Sequence, residues 1–386
     1  MLTALGTRLG GGVGEAVMRQ TQLIRANGGE ALVFALKDRF SAEDTARYAG
    51  SAVHWSKVRG PAQIGYAPGL TEQLRAAELD CLHLHGIWMY PSRAAAIWAR
   101  ETQRPLIIST HGMLDPTTLA RGRWKKWLAR HGYEYANWRQ ARAFHALSQA
   151  EAANIRRAAG PVPCMVIPNA APDSPDRRAP MPRQPGMILF LGRIHAVKNL
   201  SGLLAGWQRA QLPDNARLVI AGWGEPGDVA QLEHAVAAAG GTVSYIGPVF
   251  GARKQELLDQ AQFVVLPSLS EGLPVTVLEA WAAGTPTILS RESNLPEGFE
   301  AGAAIESGVS AEPIAAALER ALGLDEPHWK VMSAAAQRLA AGRFSAATVA
   351  QNWADVYRSL IGNAPRAGPG QTGAGGANQI QGSRAQ

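Results

Sequence analysis

Short apolar runs alternate with longer amphipathic stretches along most of the chain, the pattern of parallel sheets whose strands are joined by crossover helices. In the first half, Ala31–Leu36, Cys81–His85, Leu106–Thr110, Ala143–Ala146 and Met165–Ile167 read as strands, and Glu15–Asn27, Ser92–Thr102, Trp124–Gln140 and Gln149–Ala159 as helices. Met187–Leu191, Arg217–Ala221, Val243–Ile246, Phe263–Leu266 and Thr287–Leu289 continue the rhythm in the second half, again with helices between them. Two successive α/β domains are expected, residues 1–170 and 186–345. The stretch from Ala171 to Pro182 is too rich in proline and charge for an element interior, so 171–185 reads as a linker. A last helix is expected over 346–361, and 362–386, nearly devoid of large apolar residues, reads as a disordered tail. One feature departs from the pattern: only Met1-Leu2-Thr3-Ala4-Leu5 precedes Gly6, so either the opening strand is clipped or the sequence starts inside the natural one.

Composition allows this division. The chain has 386 residues, 46% of them hydrophobic, enough for two cores of ordinary size. Cys81 and Cys164 are its two cysteines, no disulfide framework, which favours a reducing compartment. The sequence shows neither a signal-peptide pattern nor an apolar run of about 18 residues, so a cytoplasmic location is expected. The net charge of +7 is uneven: residues 1–170 hold 21 Lys and Arg against 12 Asp and Glu. The densest patch, Arg121-Gly122-Arg123-Trp124-Lys125-Lys126-Trp127-Leu128-Ala129-Arg130, suits peripheral contact with an anionic membrane surface. It equally suits a solvated helix face whose tryptophans pack inward. Nucleic acid is not an expected partner, because no zinc spacing or RNA-binding segment accompanies the charge.

The most specific chemistry lies in Ser270-Glu271-Gly272-Leu273-Pro274-Val275-Thr276-Val277-Leu278-Glu279-Ala280, which follows the apolar run Phe263–Leu266. Gly272 permits close backbone approach and Pro274 suits a first helical turn, so a helix should start here with unpaired amides facing beyond the strand end. Glu271 then stands before the helix and Glu279 about two turns along it. A ligand with phosphates at the helix start and hydroxyls further along fits this spacing. Two bare glutamates would more simply be a helix-start acid and a surface acid. In its context, however, the segment resembles the Glu-x7-Glu signature of retaining glycosyltransferases of family 4. That resemblance implies the GT-B architecture: two Rossmann-like doubly wound domains facing each other across a cleft, with a final helix crossing back to the first domain.

Other segments extend the resemblance. Gly192-Arg193-Ile194-His195-Ala196-Val197-Lys198-Asn199 follows a strand, and Arg193 and Lys198 are placed to balance a diphosphate as it gains charge; the family carries a similar Gly-Arg…Lys-Asn arrangement. Gly10-Gly11-Gly12-Val13-Gly14 is weak as a dinucleotide fingerprint, since Val17 stands where a third glycine or alanine belongs. In the family a Gly-Gly turn here faces the donor phosphates, which assigns Gly11 and Gly12. Ser109-Thr110-His111-Gly112 ends a first-domain strand, and the family implies that His111 contacts the donor sugar or the acceptor hydroxyl. Ile167-Pro168-Asn169 resembles the family's Pro-Asn-Gly segment, with Ala170 for the glycine, and places Asn169 in the cleft. Tyr245-Ile246-Gly247-Pro248-Val249 resembles the segment whose backbone meets the nucleotide base. His83 and His85 share one strand face but lack a third ligand for a metal.

The expected activity is transfer of a sugar, with retention, from a UDP- or GDP-linked donor to a hydroxyl acceptor, a saccharide or lipid-linked intermediate of surface polysaccharide assembly. Glu271, His111, Arg193 and Lys198 are the expected catalytic residues; Gly11, Gly12, Val249, Gly272, Leu273, Pro274, Val275 and Glu279 join the donor site. The resemblance implies that cations and helix dipoles replace a metal, so no cofactor is expected. A GT-B sugar-nucleotide epimerase and a noncatalytic sugar-nucleotide-binding protein are the alternatives.

Overall fold

The computed structural model describes residues 1–48, 50–120, 122–172 and 182–362. Most of the expected linker, the expected tail beyond Gly362, and Arg121 of the basic patch lie outside them. The first-half strands are β1 (Leu2–Thr3), β2 (Val33–Leu36), β3 (Val53–Ser56), β4 (Leu82–His85), β5 (Leu106–Ser109), β6 (Ala143–Ala146) and β7 (Cys164–Val166). Those of the second half are β8 (Met187–Leu191), β9 (Arg217–Ala221), β10 (Val243–Tyr245), β11 (Phe263–Leu266), β12 (Thr287–Leu289) and β13 (Ala304–Glu306). They form a seven-stranded sheet in the order β3-β2-β1-β4-β5-β6-β7 and a six-stranded sheet in the order β10-β9-β8-β11-β12-β13. In each sheet the strands pair in parallel, and the chain winds outward from a central strand and then returns to its other side. The reversal falls between β1 and β4 in one sheet and between β8 and β11 in the other, and the carboxyl ends of strands at such a point are where doubly wound sheets bind ligands.

The core strands are near-continuous apolar runs because both faces are covered by helices. Every residue of β8 and β11 is buried, and Leu189 lies opposite Val219 on one side and Val264 on the other. This is the expected two-sheet α/β architecture. Several elements differ from expectation. β3 and β13 were not anticipated, and β1 holds only two residues yet sits centrally between β2 and β4. The single helix expected over Trp124–Gln140 is broken into Arg123–Ala129, a π-helical turn Arg130–Glu134 and the short helix Tyr135–Trp138.

The helix Ala346–Gly362 returns from the second sheet to the first. Its Val349 and Trp353 bury against Ile107 of β5 and Ile167, each aliphatic side chain so buried contributing roughly 1.5–3 kcal/mol. At its root the Ala171 amide donates to the Phe344 carbonyl at 2.7 Å, fastening the chain leaving the first sheet to the chain re-entering it.

Candidate active site between the sheets

The loops leaving β8 and β11 meet at the switch point of the second sheet, where the Leu269 amide donates to the Val197 carbonyl at 2.8 Å. Beyond that contact the Glu271 carboxylate turns back, and its Oε1 accepts from Lys198 Nζ at 2.5 Å and from Ser268 Oγ at 2.6 Å. The loop after β12 braces the other side: the Glu271 amide donates to the Glu292 carbonyl at 2.9 Å, and Asn294 Nδ2 to the Glu271 carbonyl at 2.5 Å. The Lys198 and Glu271 side chains retain 17% and 11% exposure, so packing and hydrogen bonds set their positions. The helix Val275–Ala283 starts immediately afterwards, with Pro274 extended before it and no side chain capping it. On that helix Glu279 is buried, and Lys254 Nζ donates to its Oε1 at 2.7 Å.

The first-domain wall is the turn after β5. His111 and Gly112 both adopt left-handed backbone, φ 49° and 73°, which glycine accepts freely and histidine does not. The His111 ring stacks on that of His85 with the planes inclined by 23° and Nε2 3.0 Å from His85 Nδ1. Burial lowers the His111 pKa to about 4, against the opposing pull of the Glu151 charge. The ring is therefore neutral at pH 7, with one donor and one acceptor nitrogen. Between the two walls lies a cavity of about 230 Å³, with His111, Gly112, Asp115, Glu151 and Asn154 on one side and His195, Ser270, Glu271, Gly272 and Asn294 on the other. A larger cavity of about 420 Å³ opens beneath the first sheet, among Met1, Cys81 and the returning helix. It sits at the amino ends of β2 and β4, away from the strand ends where such folds bind ligands, so the smaller one is the candidate site.

The structure thus brings His111, Glu271, Gly272 and, through its ion pair, Lys198 to one place. Arg193 is turned elsewhere: its guanidinium lies 5.3 Å from the Trp223 ring centre and 3.6 Å from Glu225, at the end of β9. Gly11 and Gly12 open the helix Gly12–Ala26 after β1, and a Cβ on either would meet nothing within 4 Å. Neither lines the cavity. Leu273 is buried in the second-domain core, Pro274 and Val275 form the helix start, and Val249 packs beside β8 and β11. Asn169 follows β7 half-buried; its neighbour Pro168, not Asn169 itself, lines an adjoining cavity with Leu147, Leu273 and Asn294. His83 stacks on His85 at 4.2 Å, and among the described residues no group of three His, Cys, Asp or Glu is arranged to hold a metal.

Four contributors escaped the sequence reading. His195 stood within the quoted cationic loop, but its role as cavity wall depends on the contact between two loops. Asn294 and Lys254 are distant in sequence from the glutamates they serve. Glu151 was the most legible, since Ser148-Gln149-Ala150-Glu151 has the form of a capping box.

The family model for glycosyl transferases group 1 matches residues 185–323, and that for the glycosyl transferase 4-like domain matches residues 11–170. The chain is 27% identical to the GDP-mannose:cellobiosyl-diphosphopolyprenol alpha-mannosyltransferase of Xanthomonas campestris over 293 residues, 72% of this chain and 75% of that one. An uncharacterized glycosyltransferase of Methanocaldococcus jannaschii, MJ1607, is 35% identical over 111 residues; that match spans 29% of this chain and only 28% of the relative. Among solved structures, Anabaena HepE in complex with UDP and glucose superposes with a TM-score of 0.72 at 18% identity, covering 93% of this chain and 99% of HepE, a likeness of fold.

Proposed function

The chain belongs to the group 1 glycosyltransferases of the GT-B fold, and from that premise we propose that it transfers a sugar with retention from a UDP- or GDP-linked donor to a saccharide or lipid-linked acceptor, without a metal. The observation that carries this reading is the Glu271 carboxylate, held by Lys198 and Ser268 at the second sheet's switch point and facing His111 across the cavity. The diphosphate would lie at the open start of the Val275–Ala283 helix, with Lys198 beside it and Glu279 positioned for the ribose hydroxyls. Arg193 would have to leave Trp223 and Glu225 to join them. As the bond from the anomeric carbon to the diphosphate breaks, the acceptor oxygen bonds to the same face of that carbon and its proton passes to the departing phosphate oxygen. Charge grows on the leaving group, so fixed cations and helix amides stabilise the transition state more than the ground state, each by roughly 2–4 kcal/mol. Glu271 and His111 would orient the sugar from opposite walls.

The lipid-linked half of the reading draws on the surface around the helix Arg123–Ala129. Trp124, Trp127 and Leu128 are 67%, 62% and 58% exposed, so the tryptophans do not pack inward. Arg123 and Lys125 accompany them, whereas Lys126 turns back to the Thr118 carbonyl and Arg130 to the Ala158 carbonyl. An anionic membrane surface on the cytoplasmic side matches this mixture of aromatic area and positive charge. Among the described residues no helix is long and apolar enough to cross a membrane.

The test is nucleotide release from a panel of UDP-, GDP- and ADP-sugars, with membrane extract as acceptor source, for the wild type and for Glu271→Ala and Lys198→Ala. Release from one donor that both substitutions abolish is expected, with label appearing in an extractable product. Release without a new glycosidic product would favour the epimerase reading, and donor binding without release would favour a binding protein.

A further inference from the structure

We propose that Glu151 is the positioning residue for the acceptor-side wall of the active site, fixing His111 and Leu147 through a single carboxylate; this rests on the reading of His111 given above. Ser148 caps the helix Gln149–Ala159, its Oγ accepting from the Glu151 amide at 3.2 Å. In a capping box the glutamate returns to the amide of the cap residue. Here it reaches past Ser148. Oε1 accepts from Thr110 Oγ1 at 2.8 Å and from the Gly112 amide at 2.6 Å, and Oε2 accepts from the Leu147 amide at 2.8 Å. One oxygen thus grips the residue before His111 and the residue after it. The second holds Leu147, a first-domain side chain that meets the donor-side loop: a Cβ placed on Gly272 would lie 3.8 Å from Leu147 Cδ1.

The arrangement answers a local need. Two consecutive left-handed residues, one of them not glycine, form an unfavourable turn that persists only where its surroundings over-determine it. The His111 side chain reaches the sheet through its ring, Nε2 lying 3.0 Å from Nδ1 of His85 on β4, a contact of the ring and not of the backbone of the turn. The anchoring is left to Thr110 and Gly112, and both bonds end on the same buried oxygen, in a residue 5% exposed. A carboxylate can accept all three hydrogen bonds, whereas a carboxamide of the same shape has one oxygen only and must turn an NH₂ group toward either the His111 turn or the Leu147 amide.

A double-mutant cycle between Glu151→Gln and His111→Ala tests the proposal, read as kcat and KM with the donor identified by the panel. Glu151→Gln is expected to lower kcat by about 10–100-fold with donor KM changed less than about threefold, and the double variant to be no slower than His111→Ala alone. Thr110→Val, which removes one of the three donors at nearly constant volume, should give a several-fold loss that likewise disappears in the His111→Ala background. Losses that multiply across the cycle, or a Glu151→Gln enzyme of wild-type kcat, would overturn the proposal. Should His111→Ala retain wild-type kcat while Glu271→Ala is inactive, the assignment of His111 itself fails and the proposal with it.

Discussion

Lys198 and Glu271 show how little a residue type says until its partner is known. An arginine and a lysine five positions apart in a strand-end loop look equivalent as diphosphate ligands, yet only Lys198 is built into the site. Its ammonium is mostly buried and shares Glu271 Oε1 with Ser268, while Arg193 is 45% exposed and stacks on Trp223. Removing one member of such a pair leaves the other charge without compensation in a largely dry place. Lys198→Ala is therefore expected to do two things at once: withdraw a cation from the leaving diphosphate and release the Glu271 carboxylate to the Ser268 hydroxyl alone. A fall in kcat of about 10²–10³ is expected. Arg193→Ala should act more through donor KM, since its guanidinium must first be drawn from Glu225. Steady-state kinetics on the two variants separate these outcomes, and equal effects on kcat would show that the two cations work as one.

Elements were more legible than their junctions. β6, β8, β9, β11 and β12 coincide with the apolar runs that announced them, because strands covered by helices on both faces are largely apolar. β3 escaped because it is an edge strand of mixed burial, Val53-His54-Trp55-Ser56, in which no continuous run appears. The helix break at Arg130–Glu134 left no trace of proline or glycine pattern beyond Gly132, and its reason is tertiary: the π-helical turn aims consecutive side chains at one loop, Tyr133 Oη donating to the Trp88 carbonyl at 2.8 Å and Glu134 Oε1 accepting from the Trp88 amide at 2.7 Å. The helix with the exposed tryptophans is therefore continuous with a clamp on the loop that leaves β4 at the ligand edge of the first sheet. Site residues followed the same division. Glu271 and Lys198 were readable from local motifs, whereas Asn294 and Lys254 are joined to the site only by the fold. A Trp124→Ala/Trp127→Ala variant should lose most binding to vesicles containing phosphatidylglycerol in a flotation assay. It should keep its turnover with a water-soluble acceptor, because neither side chain touches the cavity; retained flotation would remove this helix as the membrane contact.

At the scale of the whole molecule, the returning helix turns two domains into one enzyme, and it does so through buried histidines whose proton positions are determined by their partners. His145 Nε2 lies 2.8 Å from the Ile167 carbonyl and must donate, so Nδ1 accepts from Ser109 Oγ at 2.7 Å; that hydroxyl in turn accepts from His83 Nε2 at 2.6 Å. His83 Nδ1 is then an acceptor, and Tyr357 of the returning helix donates to it at 2.8 Å while accepting from Gln20 Nε2 at the same distance. The chain of bonds runs in one direction, from the helix through β4, β5 and β6 to the segment that leads into the linker. It requires both imidazoles neutral, and burial holds His83 well below its ordinary value, as it does His85 beside it. An unfolded chain binds protons on these rings near pH 6.5 while the native state does not, so stability is complete above that value and is lost as pH falls below it. Each such histidine costs about 1.4 kcal/mol per pH unit below 6.5 until its native pKa is reached. The melting temperature should accordingly decline from pH 7 to pH 5. Tyr357→Phe, which leaves His83 Nδ1 without the phenolic donor, should lower it at pH 7 and flatten that decline, because a ring freed from the bond chain takes up its proton at less cost in native structure. An unchanged slope in the variant would mean that the acid sensitivity arises from the other buried histidines, His85, His111 and His145, and not from the junction with the returning helix.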